Sequence, residues 1–273
     1  VVKKRIIPVI LLRSGVIVQS KFFKRYQPLG TPTAVVERLS NWESDEIIYL
    51  DISPAQTYDL NRDDLNHPSF STIEEIVELV AKKCQTPLTF GGGIREMSQV
   101  STRIHKGADK ITLNTVAIEN RNFITEIANR FGSQSIVISI DVVKEEDGRY
   151  LVYKRGKERT LISPVEFARE CESAGAGEIL VNSVNRDGSK LGFDIELIQS
   201  VVDVVGIPVI ALGGAGTWEH FEEVLVKTNV SGVAAANIFQ YTENSMYHCK
   251  QYLYEKGLPV RKPGSLSGLK SNL

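Results

Sequence analysis

The sequence predicts an α/β chain whose residues 1–261 fold as a single (β/α)8 barrel of the TIM type, built from two duplicated half-barrels. Three observations predict it. Eight short runs are almost wholly apolar, the mark of parallel strands buried on both faces. Most are separated by segments with apolar residues at helical spacing. The two halves also echo each other at a spacing of roughly 120–130 residues, the signature of an internal repeat. With 273 residues, 42% of them hydrophobic, the chain can fill one large core, and barrels of this kind commonly reach such a length as one domain. A doubly wound open sheet is the runner-up.

In order, the expected strands are "RIIPVILL" (5–12), "EIIYLDI" (46–52), "PLTF" (87–90), "KITLN" (110–114), "SIVISID" (135–141), "EILVN" (178–182), "PVIAL" (208–212) and "GVAAA" (232–236). "STIEEIVELVAKK" (71–83) and "SPVEFARECESAG" (163–175) have the 3.6-residue apolar spacing of helices lying on such a sheet, and a further helix begins near Met97. Two insertions break the rhythm. Residues 13–31 read as a long loop. Within 142–160, "EDGRYLVYKRG" reads as a hairpin turning at Asp147-Gly148. The tail "KPGSLSGLKSNL" (262–273) reads as mobile.

Composition narrows the function classes. A net charge of −1 gives no global field for nucleic acid or an anionic membrane. No apolar run reaches the ~18 residues of a transmembrane helix, and the N-terminal stretch lacks a signal-peptide pattern. Three well-separated cysteines (Cys84, Cys171, Cys249) suit a reducing cytoplasm better than a disulfide framework. No cofactor and no metal site is expected.

The repeat also locates candidate chemistry. "LTFGGGIR" (88–95) answers "VIALGGAG" (209–216), and "ITLNTVAI" (111–118) answers "VAAANIFQ" (233–240). Aligning "RIIPVIL" (5–11) with "SIVISID" (135–141) sets Leu11 opposite Asp141. A glycine turn between strand and helix lets backbone N–H groups approach an anion. One such turn is more often a tight connection than a site. Two in register, each followed by "LNT" or "ANI", read as two phosphate cups facing each other across the barrel mouth. A substrate with a phosphate at each end fits that shape.

Taken together, "KRIIP", "LDIS", "PLTFGGGIR", "GADKITLNT", "RFGSQSIVISID", "GAGEIL", "NRDGSKLGFD" and "PVIALGGAG" resemble the cyclase subunit of imidazole glycerol phosphate synthase. The resemblance covers about residues 4–260. It implies a lyase-type synthase that receives ammonia from a glutaminase subunit docked on the N-terminal barrel face and passes it along the axis to a phosphorylated ribotide. It also implies phosphate contacts at Gly93, Asn114 and Thr115 in the first half, and at Asp187, Gly188, Gly214 and Asn237 in the second. The catalytic acid or base it implies is Asp141. Asp109 falls on a partner-docking position. Arg5, Glu46, Lys110 and Glu178 match the family's four-residue ammonia gate.

The departures lie at the other end. Leu11 stands where the family has a second catalytic aspartate, Gln19 where it has a loop lysine, and Leu212 and Asn237 where it has serines of the second cup. Losing an acid/base partner removes ~10²–10⁴-fold of rate. The expectation is therefore a specialised relative, of the kind found in surface-polysaccharide pathways, working with a glutaminase and a third amidotransferase protein on an acetamido sugar. The alternatives are the ordinary histidine-pathway enzyme, with Arg13, Lys21, Lys24 and Arg25 supplying charge, and a non-catalytic ammonia conduit or scaffold. A sugar-phosphate isomerase is disfavoured, since it needs two opposed carboxylates.

Overall fold

In the computed structural model, residues 2–54, 57–58, 70–154, 158–240 and 245–264 are described. The strands are β1 (Arg5–Arg13), β2 (Val16–Lys21), β3 (Arg25–Gly30), β4 (Ile47–Asp51), β5 (Leu88–Gly91), β6 (Lys110–Leu113), β7 (Ile136–Lys144), β8 (Tyr150–Lys154), β9 (Glu158–Arg159), β10 (Glu178–Ser183), β11 (Val209–Leu212) and β12 (Gly232–Ala235). The helices are α1 (Pro32–Asn41), α2 (Ile73–Lys83), α3 (Met97–His105), α4 (Thr115–Glu119), α5 (Asn122–Phe131), α6 (Pro164–Ser173), α7 (Ile195–Val202), α8 (Trp218–Lys227) and α9 (Met246–Glu255). Eight strands pair in parallel in the order β1-β4-β5-β6-β7-β10-β11-β12, and β12 returns to β1, so the sheet closes. These eight are the eight expected strands. No helix among the described residues is long and apolar enough to cross a membrane. The expected mobile tail lies largely outside the described residues, which end at Gly264.

Closure explains the composition of the strands. Side chains alternate between the barrel axis and the helical layer, and both are dry. Ile7, Val9, Ile48, Val137, Leu180, Ile210, Leu212 and Ala234 pack together around the axis. Their strand neighbours, among them Ile6, Ile10, Ile47, Tyr49, Ile138 and Ile179, pack outward against the helices. Fully burying each such side chain contributes ~1.5–3 kcal/mol. α2 illustrates the covering layer. Thr72 caps it by accepting the Glu75 N–H, acids sit in its first turn and lysines in its last, and Ile73, Ile76, Val77 and Val80 face the sheet. The charge placement complements the helix dipole.

Residues 13–31 depart from expectation. They are not a loop: β1 continues to Arg13 and turns back as β2, which pairs antiparallel with β3. The turn uses Phe22 (φ 53°) and Phe23 (φ 55°), closed by the Lys24 N–H donating to the Lys21 carbonyl at 3.1 Å. Left-handed φ at both central residues defines the hairpin turn normally built from Asn-Gly, so the sequence carried no turn signal. The other hairpin does carry one. β7 and β8 pair antiparallel through Val142–Val152 and Lys144–Tyr150 around Asp147-Gly148, where Gly148 has φ 86°.

Candidate active site and charged ring

At the N-terminal end of the barrel, Arg5, Lys110 and Glu178 open β1, β6 and β10, and Glu46 immediately precedes β4. Inward alternation brings the four together. Arg5 donates to Glu46 at 2.6 Å and also pairs with Glu178. Lys110 donates to Glu46 at 3.1 Å and to Glu178 at 3.0 Å, closing a ring of alternating sign. Both glutamates are buried, and the cations are about three-quarters covered. Thr89 of β5 adds a fifth contact, its hydroxyl donating to Glu46 at 2.6 Å. Burial works against the Arg5 charge, but Glu178 and then Glu46 outweigh it and hold the guanidinium above its ordinary range. Two cations and two anions each find partners, so no charge is left buried and unpaired. Asp109, one residue before β6, accepts the Leu88 N–H at 2.8 Å and so ties β5 to β6 at this face.

At the C-terminal end, Asp141 occupies the inward position of β7. Asn182, directly across from it on β10, donates to Oδ1 at 2.9 Å, and Asn114, at the end of β6, donates to Oδ2 at 3.0 Å. Burial pushes the Asp141 carboxyl up to about 6; Asn182 opposes this, the charge of Asp187 adds to it, and Asn114 opposes it. A group titrating there can hold or release a proton near neutrality. No cation balances it in the described contacts. Across the mouth the wall is apolar: Leu11, Leu50 and Ala236 pack on the axial cluster beside Leu212. Leu11 is thus lining, and it brings no proton donor or acceptor to this mouth.

The glycine turns follow β5 and β11. Gly92 (φ 102°) and Gly93 (φ 65°) follow β5, and a Cβ on Gly92 would drive into the backbone of Asp51. Gly93 is exposed at the mouth, and Asn114 and Thr115 are partly exposed beside the start of α4. In the second half the equivalent polar groups are engaged internally. Asp187 accepts from Ser20 Oγ at 3.1 Å and the Phe23 N–H at 3.3 Å, while Asn237 donates to the Ser20 carbonyl at 2.6 Å. Gly188 (φ 63°) lies so close to Ser20 and Lys21 that a Cβ there would stand 3.0 Å from both backbones. Gly214 (φ 104°) is buried against Gly192. Gln19, in β2, is hydrogen-bonded to Gln27 at 2.7 Å. The β2–β3 hairpin therefore lies latched on this half of the mouth. Among the described residues no cluster has the make-up of a metal site.

The sequence matches the family described as "Histidine biosynthesis protein" over residues 5–245. The chain belongs to that family. It is 39% identical over 260 residues to a Vibrio vulnificus (strain YJ016) protein named "Putative imidazole glycerol phosphate synthase subunit hisF2", covering 95% of this chain and 91% of that one. It is 37% identical over 262 residues to "Imidazole glycerol phosphate synthase subunit HisF" of Alkaliphilus metalliredigens (strain QYMF), covering 96% of this chain and all of that one. The resemblance stated from motifs is thereby shown, and so is the barrel.

For this histidine-biosynthesis barrel, sequence reasoning missed Asn182 and Thr89. Asn182 had a usable signal: it ends the strand adjacent to Asp141 and shares its register. Thr89 had none, since its partner Glu46 is 43 residues away.

Proposed function

We propose that the chain is the ammonia-using, cyclase-type subunit of an imidazole glycerol phosphate synthase-like complex. A glutaminase subunit docks on the N-terminal face, around Arg5, Glu46, Lys110 and Glu178. Ammonia released there passes the ring and travels along the axis to Asp141, where a substrate is held by a phosphate at Gly93, Asn114 and Thr115. The reading is carried by one observation above all. The four ring residues close on one another at the N-terminal mouth, while the opposite mouth has lost the carboxylate expected on β1. A purely structural need for charge balance would not select these four identities as the catalytic ones drift.

Leu11 and Leu212 favour a specialised form of this activity over the ordinary histidine-pathway reaction. In it, ammonia serves amidination of a surface-polysaccharide sugar, through a third amidotransferase protein. The hisF2 name of one relative is consistent with a second copy of such a subunit beside an ordinary one. The test is turnover of the histidine-pathway ribotide with ammonium, alongside co-purification with a glutaminase. Turnover at least ~10²-fold below that of a relative with both aspartates, together with a glutaminase bound, is expected. A full rate restores the histidine-pathway reading. Failure to bind any glutaminase removes the ammonia argument.

A further inference from the structure

Arg103 is a wholly buried arginine, 1% exposed, on the inner face of α3 with Val100. Its hydrogen-bond partners among the described residues are neutral. Nη1 donates to the Gln99 carbonyl at 3.2 Å and Nη2 to the Gly92 carbonyl at 3.1 Å, while Nε has no partner. Asp51, whose backbone abuts Gly92, has its carboxylate occupied by the Tyr58 hydroxyl at 2.6 Å and the Ser53 N–H at 2.9 Å. Burial therefore holds the guanidinium below its ordinary range, against the opposing charges of Glu74 and Asp51. A charge kept in such a place without a charged partner is expensive.

Packing does not require an arginine here. The internal repeat sets "LTFGGGIR" against "VIALGGAG", and the same register sets Met97 against Trp218, the first residues of α3 and α8. Carried on, it sets Arg103 against Val224, which is also wholly buried. An apolar side chain thus fills the equivalent place in the second half. Arg103 supplies something that hydrocarbon cannot.

What it supplies lies at Gly92. A trans peptide points its C=O and its N–H in opposite directions. With the Gly92 carbonyl drawn onto Arg103, the Gly93 N–H is turned away from α3, toward the exposed side of the turn. Gly92 (φ 102°) and Gly93 (φ 65°) have no Cβ to restrain the peptide between them, so an outside contact must fix it. The buried guanidinium also sets a positive charge beneath that turn, where solvent screens it poorly.

We infer that Arg103 is a positioning residue for the first glycine turn: it locks the Gly92–Gly93 peptide with its N–H outward and backs that donor with charge. The second half has no such support, because Val224 stands in its place. The inference rests on the reading that a substrate phosphate sits at Gly93, Asn114 and Thr115, and its test separates the two.

Orthophosphate is titrated into the intact chain, and binding is read from the backbone amide NMR signals of Gly93, Asn114 and Thr115. Arg103→Met should lose ~10-fold or more in affinity, the usual worth of a charge-assisted contact. Its melting midpoint should stay at or above that of the wild type, since a buried charge without a charged partner has gone. Arg103→Lys should keep its affinity within ~3-fold, because an ammonium can still donate to the Gly92 carbonyl. Val100→Ala is the control. It loosens the same buried face of α3 but removes no donor from Gly92, so its midpoint should fall while phosphate affinity stays within ~2-fold. Unchanged affinity in Arg103→Met, or an equal loss in Val100→Ala, overturns the inference and leaves the phosphate reading standing. A wild-type chain whose three amides do not respond to phosphate overturns the phosphate reading, and the positioning role with it.

Discussion

The two ends of the barrel treat buried charge in opposite ways. At the N-terminal mouth Arg5, Glu46, Lys110 and Glu178 balance one another within a closed ring, and Arg5 is held firmly in its charged form. At the C-terminal mouth Asp141 has two neutral amides for company and an apolar wall of Leu11, Leu50, Leu212 and Ala236 on the axial cluster. Its charge is left uncompensated, and its proton affinity rises to about 6. A closed ring of balanced charges suits a gate. An uncompensated carboxylate changes state near neutrality, which suits proton transfer. The same fold therefore separates a permanent electrostatic structure from a tunable one by its axial length.

The largest expected effect breaks the tunable end. Asp141→Asn keeps the shape and removes the proton. Whatever reaction the mouth performs should fall by ~10²–10⁴-fold in kcat/KM. Conversely, Leu11→Asp with Gln19→Lys should raise ribotide turnover by restoring a second carboxylate facing the first. An Asp141→Asn enzyme at wild-type rate would make the top face a docking surface and favour the conduit reading.

Next comes the ring. Arg5→Ala leaves two buried glutamates with Lys110 alone, an unbalanced negative charge. A loss of ~2–4 kcal/mol in denaturant stability is expected, since removing one partner of a buried pair leaves the other uncompensated. Lys110→Ala removes the second cation and opens the mouth. With a glutaminase bound, glutamine-dependent product formation should drop or uncouple from glutamine hydrolysis while ammonium-dependent activity persists. Equal loss of both activities would make the ring structural.

These ends were not equally legible in the sequence. The eight strands were, because burial on both faces leaves apolar runs that need no partner to be seen. Asp147-Gly148 announced its hairpin for the same local reason. The Phe22-Phe23 turn did not, because no local preference favours two aromatic residues at left-handed φ; distant residues help hold it, Asp187 by accepting from Phe22 and Phe23 and Asn237 by donating to the Ser20 carbonyl. Asp141 could be named from the repeat and the resemblance. The closure of the ring could not be derived from spacing, since Arg5 and Glu178 lie 173 residues apart and meet only when the sheet closes.

A smaller effect tests the uncompensated charge as a stability term. In the folded protein Asp141 binds its proton with a pKa of about 6, above its ordinary value of 3.8. Between those values the native state holds more protons than the unfolded chain, so this group's contribution to stability falls as pH rises from about 4 to about 6. Above that, the full cost of the buried charge is present. Asp141→Asn should stabilise the protein by ~1–3 kcal/mol at pH 7 and have little effect at pH 4. The new amide is accommodated because Asn182 Oδ1 has no hydrogen-bond partner in the wild type, and turning the Asn182 amide lets that oxygen accept. Equal destabilisation at both pH values would mean that Asp141 is stabilised by its surroundings rather than strained by them.

The smallest effect sharpens the comparison most. Asn182 donates to Asp141 at 2.9 Å, a contact that favours the charged form and so opposes burial. Asn182→Leu keeps the side-chain volume close and removes that donor. A hydrogen bond to a charged group is worth ~1.5–3 kcal/mol at most, and Asn114 remains to donate to the other oxygen. The Asp141 pKa should therefore rise by only about one pH unit above 6, read from the carboxyl carbon shift in an NMR titration. Folding stability should change by less than ~1 kcal/mol, because the variant also removes the unpartnered Asn182 oxygen. An unmoved titration would show that Asn182 positions Asp141 without tuning it. Burial, together with the charge of Asp187, would then set the proton affinity of this mouth, and the apolar wall around Leu11 would become the element to vary next.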